Sequence, residues 1–435
     1  MSSSLVDKIL AARTLQADAA NAREVTRAYA DTFAVIQAGW NEPVTRNMRK
    51  AYPDVQSPLL SSNTKVDAEH AALVWGAAAH ALDYDDVHST SVSHPSAVLV
   101  PAIEAAVRAE NLPRDRVVNG YLLGLSVNIA LGEALGYSHY EKGWHATSTV
   151  GPLAAAAAIA YIYNLDEAAF RHALSLAAAQ GGGMQRNFGE HAKPVQAGLA
   201  ASAGVRAARM AANGVTAAFD AFGEKGFLDL YAGKIPGRPV TDIVLTPDAS
   251  TLSRKLYACC YMAHRPIMAA LDARKKFDPK LLADPRVQVE VKVPFGGATA
   301  LRHPVPTTGL EGKFSGPYAV AAALIDGRVN LGAFEDEHVR RADLQNLLRR
   351  TRLIEDPLDG DMPIGMDHGT VRLTVKRGDE ILAFAEVTPF PGSPSSPITD
   401  AELDAKVRDC VAFEGGNSLS AEKLMAEAAR CTPQH

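Results

Sequence analysis

The feature that most constrains this fold is the abundance of small apolar residues in long helical stretches. Residues 150–163 contain an unbroken run of alanines, and residues 197–212 are also rich in alanine before they end at Asn213-Gly214, a common helix C-cap pair. The first stretch is too short to span a bilayer, which takes about 20 apolar residues, so it predicts a buried helix. Small side chains let helices approach closely, which favours a compact helical bundle over a coiled coil.

Other segments of the first half also have a helical pattern. Alanine, leucine and arginine are frequent over residues 5–38, and residues 114–135 carry apolar side chains at helical intervals. Asp166 is a predicted N-cap for a helix over residues 167–179. The first half is therefore predicted to be all-helical.

The pattern changes after about residue 273. Residues 287–293 alternate between apolar and polar, which predicts a half-buried strand, and residues 370–375 and 381–385 predict a hairpin. Helices are predicted over residues 318–325 and 338–348. Mixed strands and helices of this kind are typical of an α+β domain.

The C-terminal part is predicted to be helical again. Residues 389–397 are rich in proline and serine and predict a linker. Helices are predicted after it, over residues 400–413 and 420–429.

One short segment crowds titratable groups beside an apolar helix. Asp83, Asp85, Asp86, His88 and His94 lie within a dozen residues, directly after an alanine-rich apolar run. Acid–base catalysis uses such groupings, because neighbouring charges bring the pKa of a proton carrier near the working pH. The alternative that spacing alone leaves open is a charged loop that caps a helix and carries surface histidines.

Composition restricts the class of protein. The chain has 435 residues, 47% of them hydrophobic and 21% charged, which is ordinary for a globular protein and excludes wholesale disorder. Its net charge of -5 argues against nucleic acid as the main partner, since phosphate binding needs a basic face. The four cysteines form neither a disulfide framework nor a metal-binding pattern, and Cys259-Cys260 are predicted to be packing residues.

The N-terminal residues do not have the pattern of a secretory signal. Residues 1–8 lack a basic start and an apolar central region. A cytoplasmic protein with no membrane partner is therefore expected.

Several motifs in order along the chain resemble the MmgE/PrpD family, which includes 2-methylcitrate dehydratases, cis-aconitate decarboxylases and an iminodisuccinate epimerase. The resemblance covers most of the chain. The motifs are the aspartate-rich segment with His94-Pro95-Ser96, Gly143-Trp144-His145-Ala146-Thr147, Lys193-Pro194, residues 255–260 with His264-Arg265, and Tyr318-Ala319-Val320-Ala321 with Asp326-Gly327.

The resemblance implies a mainly α fold with a large all-helical domain and a smaller inserted α+β lid domain. The implied boundaries are residues 1–268 for the helical domain, 269–396 for the lid, and 397–435 for C-terminal helices that return to the helical domain. The resemblance also implies a homodimer, a small carboxylate substrate and no cofactor.

The resemblance implies which residues form the site. The family's catalytic positions match Asp83, His94, His145, Lys193 and Tyr318. The substrate-binding residues are predicted to be His264, Lys255, Glu190 and His191, of which Lys255 could equally pair with a surface carboxylate. Lysine and protonated histidine donate charge-assisted hydrogen bonds to carboxylates, and cations stabilise the charge left when a proton leaves the neighbouring carbon. A carboxylate such as Asp83 would orient an imidazole.

Two other patterns have weaker functional interpretations. Gly181-Gly182-Gly183 fits neither nucleotide-binding fingerprint and instead predicts a close approach of the backbone to the pocket or to a helix. A zinc site of His88, His94 and Asp85 is conceivable, but no helical His-x-x-x-His pair supports it, and no metal is predicted.

The chain departs from the family pattern around Lys193. Glu190 and His191 precede this lysine and Gln196 follows it, where histidine is common in the family. A carboxylate and an imidazole beside Lys193 would change its pKa and the charge that the pocket accepts. Glu190 would repel a third substrate carboxylate or bind an amino group.

Three functional hypotheses follow. The first is a cofactor-independent lyase that dehydrates or decarboxylates a small di- or tricarboxylate such as 2-methylcitrate or cis-aconitate. The second is an epimerase of an amino- or imino-dicarboxylate such as iminodisuccinate, with Lys193 and His145 on opposite faces of one stereocentre. The third is a binding protein that kept the fold and lost the chemistry.

Overall fold

The computed structural model describes residues 4–59, 67–235, 237–361, 363, 365–389, 392–414 and 419–433. The chain forms two compact units. The first, called here the helical unit, comprises residues 1–185, 191–254 and 399–435. The second, called the α+β unit, comprises residues 186–190 and 255–398, so its main segment begins ahead of the predicted boundary after residue 268.

The helical unit is built from helices of very different lengths. They are α1 (Leu5–Ala12), α2 (Ala19–Gly39), α3 (Pro43–Ala51), α4 (Ala68–His80), α5 (Pro95–Ala109), α6 (Val117–Leu135), α7 (Tyr137–Glu141), α8 (Ala146–Ile162), α9 (Glu167–Ala178), α10 (Ala192–Ala212), α11 (Phe227–Tyr231), and, from the C-terminal segment, α17 (Asp400–Glu414) and α18 (Ala421–Cys431).

Local sequence signals explain where several of these helices begin and end. Asp18, Asp67 and Asp166 each accept a hydrogen bond from a backbone N–H in the first turn of α2, α4 and α9, which confirms the predicted cap at Asp166. The stretch over residues 5–38 comprises two helices, because the chain turns ahead of Asp18. At the end of α10, Gly214 has φ +85°, a conformation that glycine adopts without strain.

Small residues let the helices of this unit pack closely. Every residue of α8 is buried, which confirms the prediction for residues 150–163. Helices α4 and α10 meet at Gly76 and Gly198, where a Cβ added to Gly198 would lie 2.1 Å from the carbonyl oxygen of Leu73. Because no larger residue fits this crossing, the end of α4 is held against the first turns of α10.

Among the described residues, α6 is a helix long and apolar enough to cross a membrane. Most of it, however, is buried against neighbouring helices of the unit, including α8. That burial is typical of a core helix.

The C-terminal helices pack within the helical unit. Helices α17 and α18 both lie against α2. Leu403, Val407 and Leu424, which belong to these two helices, are buried. Of the predicted linker over residues 389–397, residues 390 and 391 lie outside the described part of the chain.

The α+β unit contains one four-stranded sheet and several helices. The strands are β1 (Val287–Val293), β2 (Thr351–Glu355), β3 (Val371–Arg377) and β4 (Glu380–Val387), and the helices are α12 (His264–Arg274), α13 (Gly309–Gly312), α14 (Gly316–Asp326), α15 (Asp336–Val339) and α16 (Ala342–Leu348). The sheet order is β2-β1-β3-β4, with β2 parallel to β1 and the other pairs antiparallel.

The sheet confirms three predicted strands and adds a fourth. Strand β1 has the predicted bounds and buries its four valines, and β3 and β4 form the predicted hairpin around Gly378, which has φ +61°. Strand β2 was not predicted, because it is a short edge strand in which only Thr351 is buried and apolar residues do not alternate. The helix predicted over residues 338–348 is divided into α15 and α16.

Candidate active site

One buried cluster of titratable side chains stands out in the helical unit. The His–Lys cluster, as it is called below, consists of His80, Asp83, Asp85, His94, His145 and Lys193. His80 ends α4, the two aspartates follow it, and the other three residues lie at helix starts. His94 and His145 are the N-cap residues of α5 and α8, and Lys193 is in the first turn of α10.

Lys193 is hydrogen-bonded to two other members. Its Nζ donates to Asp83 Oδ1 at 2.9 Å and lies 2.8 Å from His80 Nε2. His80 Nδ1 is 2.9 Å from both carboxylate oxygens of Asp85. An ammonium has no lone pair, so His80 Nε2 accepts and its Nδ1 carries the proton that is donated to Asp85. The four side chains therefore form one continuous path of hydrogen bonds.

His94 has its tautomer set by a backbone carbonyl. Its Nδ1 lies 2.9 Å from the carbonyl oxygen of Asp86 and 3.2 Å from Asp85 Oδ2, and both oxygens are acceptors. Nδ1 therefore donates, which leaves Nε2 as the nitrogen that exchanges a proton. Nε2 is 3.9 Å from Asp83 Oδ1. With 12% of its side chain exposed, His94 is also more accessible than Asp83, Asp85 or Lys193.

His145 lies on the other side of His80. The two imidazole rings are nearly parallel, with centroids 5.8 Å apart, and the backbone N–H of His145 donates to the carbonyl of Gly183. Burial holds the pKa of His145 well below its usual value, and the positive charge of Lys193 lowers it further. His145 is therefore a neutral imidazole at physiological pH.

The members of the His–Lys cluster differ in charge. Burial lowers the pKa of His80, and Lys193 lowers it further, although Asp85 opposes this shift. Burial acts to raise the pKa of Asp85, but the contacts of its carboxylate with His80 and His94, hydrogen bonds among them, hold that pKa well below the usual range. A neutral His80 therefore connects a carboxylate to the Lys193 ammonium.

Three helix N-termini meet at the cluster. The backbone N–H of His94 donates to Thr147 Oγ1 at 3.0 Å, which joins the starts of α5 and α8. Ser148 Oγ donates to the carbonyl of Gln196 at 2.9 Å, which joins the starts of α8 and α10. A helix N-terminus carries a partial positive charge and binds anions, so the three together favour a negatively charged ligand.

The backbone at Asp83 is strained. Asp83 has φ +51°, in the left-handed region that residues with a Cβ seldom adopt. Its N–H donates to the carbonyl of His80 at 3.2 Å, and its carboxylate accepts from Lys193. Such strain persists only where surrounding contacts impose it, and it is common at functional sites.

Part of the cluster resembles a metal-ligand set. His80, Asp83, Asp85 and His94 each present one ligand atom, and these atoms all lie within 4.8 Å of one another. The Lys193 ammonium, however, donates to two of the four. A metal ion would have to displace this cation, so the arrangement fits a lysine-neutralised site better than a metal centre. The absence of a metal stays a prediction.

Two residues of the sequence-predicted set flank α10. Glu190 and His191 have exposed side chains in the turn before the helix, and His191 makes no side-chain cap bond there. Their predicted roles in substrate binding stay predictions.

Three further predicted site residues belong, like Glu190, to the α+β unit. Tyr318, in α14, is buried; its hydroxyl donates to the carbonyl of Ala333 and lies 2.8 Å from His338 Nδ1. His264 begins α12 and is fully buried, with Nε2 3.3 Å from the carbonyl of Cys259, and Lys255 is also fully buried. Their predicted catalytic and binding roles stay predictions.

The sequence analysis missed His80 as a member of the site and did not assign Asp85 a catalytic role. A signal for both was present. His80 is a polar residue that follows an apolar stretch of its helix, residues 71–79, and it stands three residues before Asp83 and five before Asp85. By contrast, His88 is outside the cluster, and its Nδ1 accepts from the backbone N–H of Ser91.

The glycine-rich segment lies against α8 and α10, which confirms the predicted close approach to a helix. Gly183 has φ +122°, and an added Cβ would lie 2.4 Å from Gln196 Oε1. Gly182 N–H donates to the carbonyl of Ser148, and Met184 N–H donates to Gln196 Oε1. Gln196 therefore holds this segment beside His145.

Similar proteins are known from fungi and mammals. A cis-aconitate decarboxylase-like protein, oryM, from Aspergillus oryzae is 25% identical over 85% of this chain and 81% of its own length. The cis-aconitate decarboxylase of Homo sapiens is 26% identical over 82% of this chain and 76% of its own. The cis-aconitate decarboxylase of Aspergillus terreus is 25% identical over 80% of this chain and 76% of its own length.

Two domain families account for most of the sequence. Residues 3–237 match the MmgE/PrpD N-terminal domain, and residues 257–429 match the MmgE/PrpD C-terminal domain. The matches agree with the motifs of the sequence and with a mainly α fold that carries one small sheet. This chain therefore belongs to the MmgE/PrpD family.

Proposed function

We propose that this protein is a cofactor-independent lyase that decarboxylates a small tricarboxylate of the cis-aconitate type. The observation that carries the proposal is the buried His–Lys cluster, in which proton carriers and one ammonium lie where three helices begin. The similar proteins named cis-aconitate decarboxylases support the same reaction class.

The chemistry of such a decarboxylation requires both an electron sink and a proton donor. The bond between the leaving carboxylate and its CH₂ carbon breaks, and its electron pair forms a new carbon–carbon double bond. The electrons of the original double bond move to the carbon next to a retained carboxylate, and that carbon takes up a proton. Carbon dioxide and an unsaturated dicarboxylate are formed, with one proton consumed.

We assign the proton donor to His94. Its Nδ1 donates to the carbonyl of Asp86, so its Nε2 is the nitrogen that carries and releases a proton. His94 is also partly exposed, whereas Lys193 and Asp83 are almost completely buried. A donor must contact the substrate carbon, and this accessibility supports His94 over the buried members.

Lys193 and the helix N-termini are assigned to charge stabilisation. The transition state spreads negative charge over a retained carboxylate and the carbon next to it. A fixed ammonium and aligned helix ends stabilise such charge without having to reorient. Asp83 and the His80–Asp85 pair hold the ammonium in place through hydrogen bonds of 2.8–2.9 Å.

Dehydration and epimerisation are the alternative reactions for this site. Dehydration would use the same groups, with one base removing a proton and one acid protonating a departing hydroxyl. The similar proteins reported above are named cis-aconitate decarboxylases or decarboxylase-like, so they lend no support to an epimerase.

Proton NMR in D₂O tests this proposal. The purified protein is incubated separately with cis-aconitate, citrate, 2-methylcitrate and iminodisuccinate, while released carbon dioxide is measured. We expect new vinyl signals from cis-aconitate, equimolar carbon dioxide and one deuterium on the carbon that is protonated. A vinyl product without carbon dioxide would indicate a dehydratase instead, and deuterium exchange without a change of formula would indicate an epimerase.

A matched pair of lysine variants tests whether turnover depends on the His–Lys cluster. Lys193→Met removes the ammonium and should lower kcat by at least about 100-fold, the usual scale for one preorganised electrostatic contact. Lys142→Met removes an exposed lysine of the same unit and should leave kcat unchanged. Equal activity of the two variants would contradict the assignment of the site.

A further inference from the structure

We infer that Lys406, in the C-terminal helix α17, is a positioning residue for the loop that carries Asp83 and Asp85. This loop, residues 81–94 between α4 and α5, is called here the aspartate loop. Lys406 lies 322 residues further along the chain from the residue it holds. The inference rests on the proposed function, because it gives Lys406 a role in the same site.

Lys406 makes its contact in the middle of the catalytic segment. Its Nζ donates to the backbone carbonyl of Tyr84 at 2.7 Å and lies 4.1 Å from the centre of the Tyr84 ring. Tyr84 is the residue between Asp83 and Asp85. The ammonium therefore holds both the backbone and the side chain of the residue that sets the separation of the two carboxylates.

The charge of Lys406 is neutralised from a third element. Asp31 Oδ1, in α2, forms an ion pair with Lys406 Nζ at 2.6 Å, and both side chains are 1% exposed. A buried ion pair is weak evidence for stability, since apolar residues of similar volume often stabilise a protein as well or better. The hydrogen bond to the Tyr84 carbonyl, however, is a contact that apolar side chains of similar volume could not make.

The conformation of the loop explains why such a contact is needed. Asp83 has φ +51°, a left-handed conformation that residues with a Cβ seldom adopt. Further along the loop, Val87 pairs with Ser253 through two backbone hydrogen bonds of 2.8 and 2.9 Å. Lys406 acts closer to the strained residue, and its charge-assisted bond opposes rotation of the Tyr84–Asp85 peptide.

The test replaces the ion pair without leaving a buried charge. Lys406→Met combined with Asp31→Asn removes the donor to Tyr84 and neutralises its partner. Arg114→Met combined with Glu104→Gln is the matched control, because it removes a partly buried ion pair of the same unit, with an N···O distance of 2.7 Å, outside the aspartate loop. Both double variants are compared with the wild type for thermal unfolding, kcat and KM on the substrate that the wild type turns over.

A second readout does not depend on turnover. Imidazole N–H protons bonded to carboxylates give proton NMR signals far downfield, and the Nδ1 nitrogens of His80 and His94 lie within 3.2 Å of carboxylate oxygens of Asp85. We expect K406M/D31N to shift or broaden these signals and to lower kcat about 10- to 100-fold, with KM changed much less, because misplacement of about 1 Å has costs of that order. The control should change neither.

The outcomes separate this inference from the proposed function. Normal kcat and unchanged histidine signals in a folded K406M/D31N would overturn the role of Lys406. Absence of wild-type turnover on every carboxylate would refute the proposed function, yet the histidine signals would still test the positioning. If K406M/D31N does not fold, Lys406→Gln with Asp31→Asn takes its place. Its amide is shorter and uncharged, so we expect smaller changes of kcat and of the histidine signals in the same direction, and wild-type values of both would overturn the role of Lys406.

Discussion

At the scale of single residues, the site depends on a lysine placed between an imidazole and a carboxylate. His80 accepts from Lys193 and donates to Asp85, so one ring connects the ammonium to a buried negative charge. Such outer contacts orient the groups that touch a ligand, and around metal sites their loss costs about 10- to 100-fold in affinity or activity. The histidine is a positioning residue in this sense.

We predict that His80→Asn lowers kcat about 100-fold while the protein stays folded. Asparagine can still donate to Asp85 from near the Nδ1 position, but it has no acceptor where Nε2 met Lys193. The measurement is steady-state turnover together with circular dichroism. His88→Asn is the control, since this buried histidine of the aspartate loop accepts from the Ser91 N–H and lies outside the cluster. If both variants kept wild-type kcat, the role given to His80 would be wrong.

A second prediction at this scale concerns acid stability. His139 Nδ1 donates to the carbonyl of Tyr231 at 2.7 Å, its Nε2 lies 2.8 Å from Thr149 Oγ1, and burial lowers the pKa of His139 from 6.5 to about 4. The unfolded chain therefore binds more protons than the folded one between these values. Stability from this group is fully present above pH 6.5 and is lost as the pH falls towards 4, by about 3 kcal/mol at most.

Urea unfolding between pH 4 and 7 checks this prediction. We expect His139→Gln to lose less of its free energy of unfolding on acidification than the wild type. His70→Gln, at an exposed histidine, should retain the wild-type slope. Identical slopes in all three proteins would show that His139 does not contribute.

At the scale of elements, the site depends on how closely α4 and α10 approach each other. Gly76 and Gly198 form their crossing, and an added Cβ on Gly198 would lie 2.1 Å from the Leu73 carbonyl oxygen, a backbone atom that cannot rotate away. This crossing brings the end of one helix, with His80, to the start of the other, with Lys193. The small residues at this crossing therefore bring His80 and Lys193 together, in addition to packing the core of the helical unit.

We predict that Gly198→Ala lowers the free energy of unfolding by about 1–3 kcal/mol, the usual cost of overpacking, and reduces kcat because the helices must separate. Denaturant unfolding and turnover measure the two effects. Gly182→Ala is the control for stability, because a Cβ there meets nothing within 4 Å. A Gly198→Ala protein as stable as the wild type would show that the crossing can relax.

At the scale of the whole molecule, the helical unit is discontinuous in sequence. Helix α17 packs against α2 and provides Lys406, whose ammonium reaches the Tyr84 carbonyl and Asp31. The intervening residues 255–398 form most of the α+β unit. A chain organised in this way cannot complete its helical unit until the last helices have been made.

Much of the fold followed from local patterns. Alternating valines predicted β1, the cap at Asp166 predicted the start of α9, and the alanine run predicted the buried α8. Such elements can be predicted from sequence because a repeat of two or 3.6 residues, or a capping side chain, involves residues that are close together in the chain. Strand β2 carries no such signal, since it is an edge strand with few buried residues.

The motif resemblance and the crowding of titratable residues also predicted four of the six cluster residues: Asp83, His94, His145 and Lys193. What the sequence by itself determined was which residue types stand beside which helix ends. Only the tertiary structure decided that His80 joins Lys193 to Asp85 and that Lys406 holds Tyr84, because these contacts cross more than 100 residues and depend on helix packing. Hydrogen bonds act over about 3 Å, a distance that no spacing along a chain specifies.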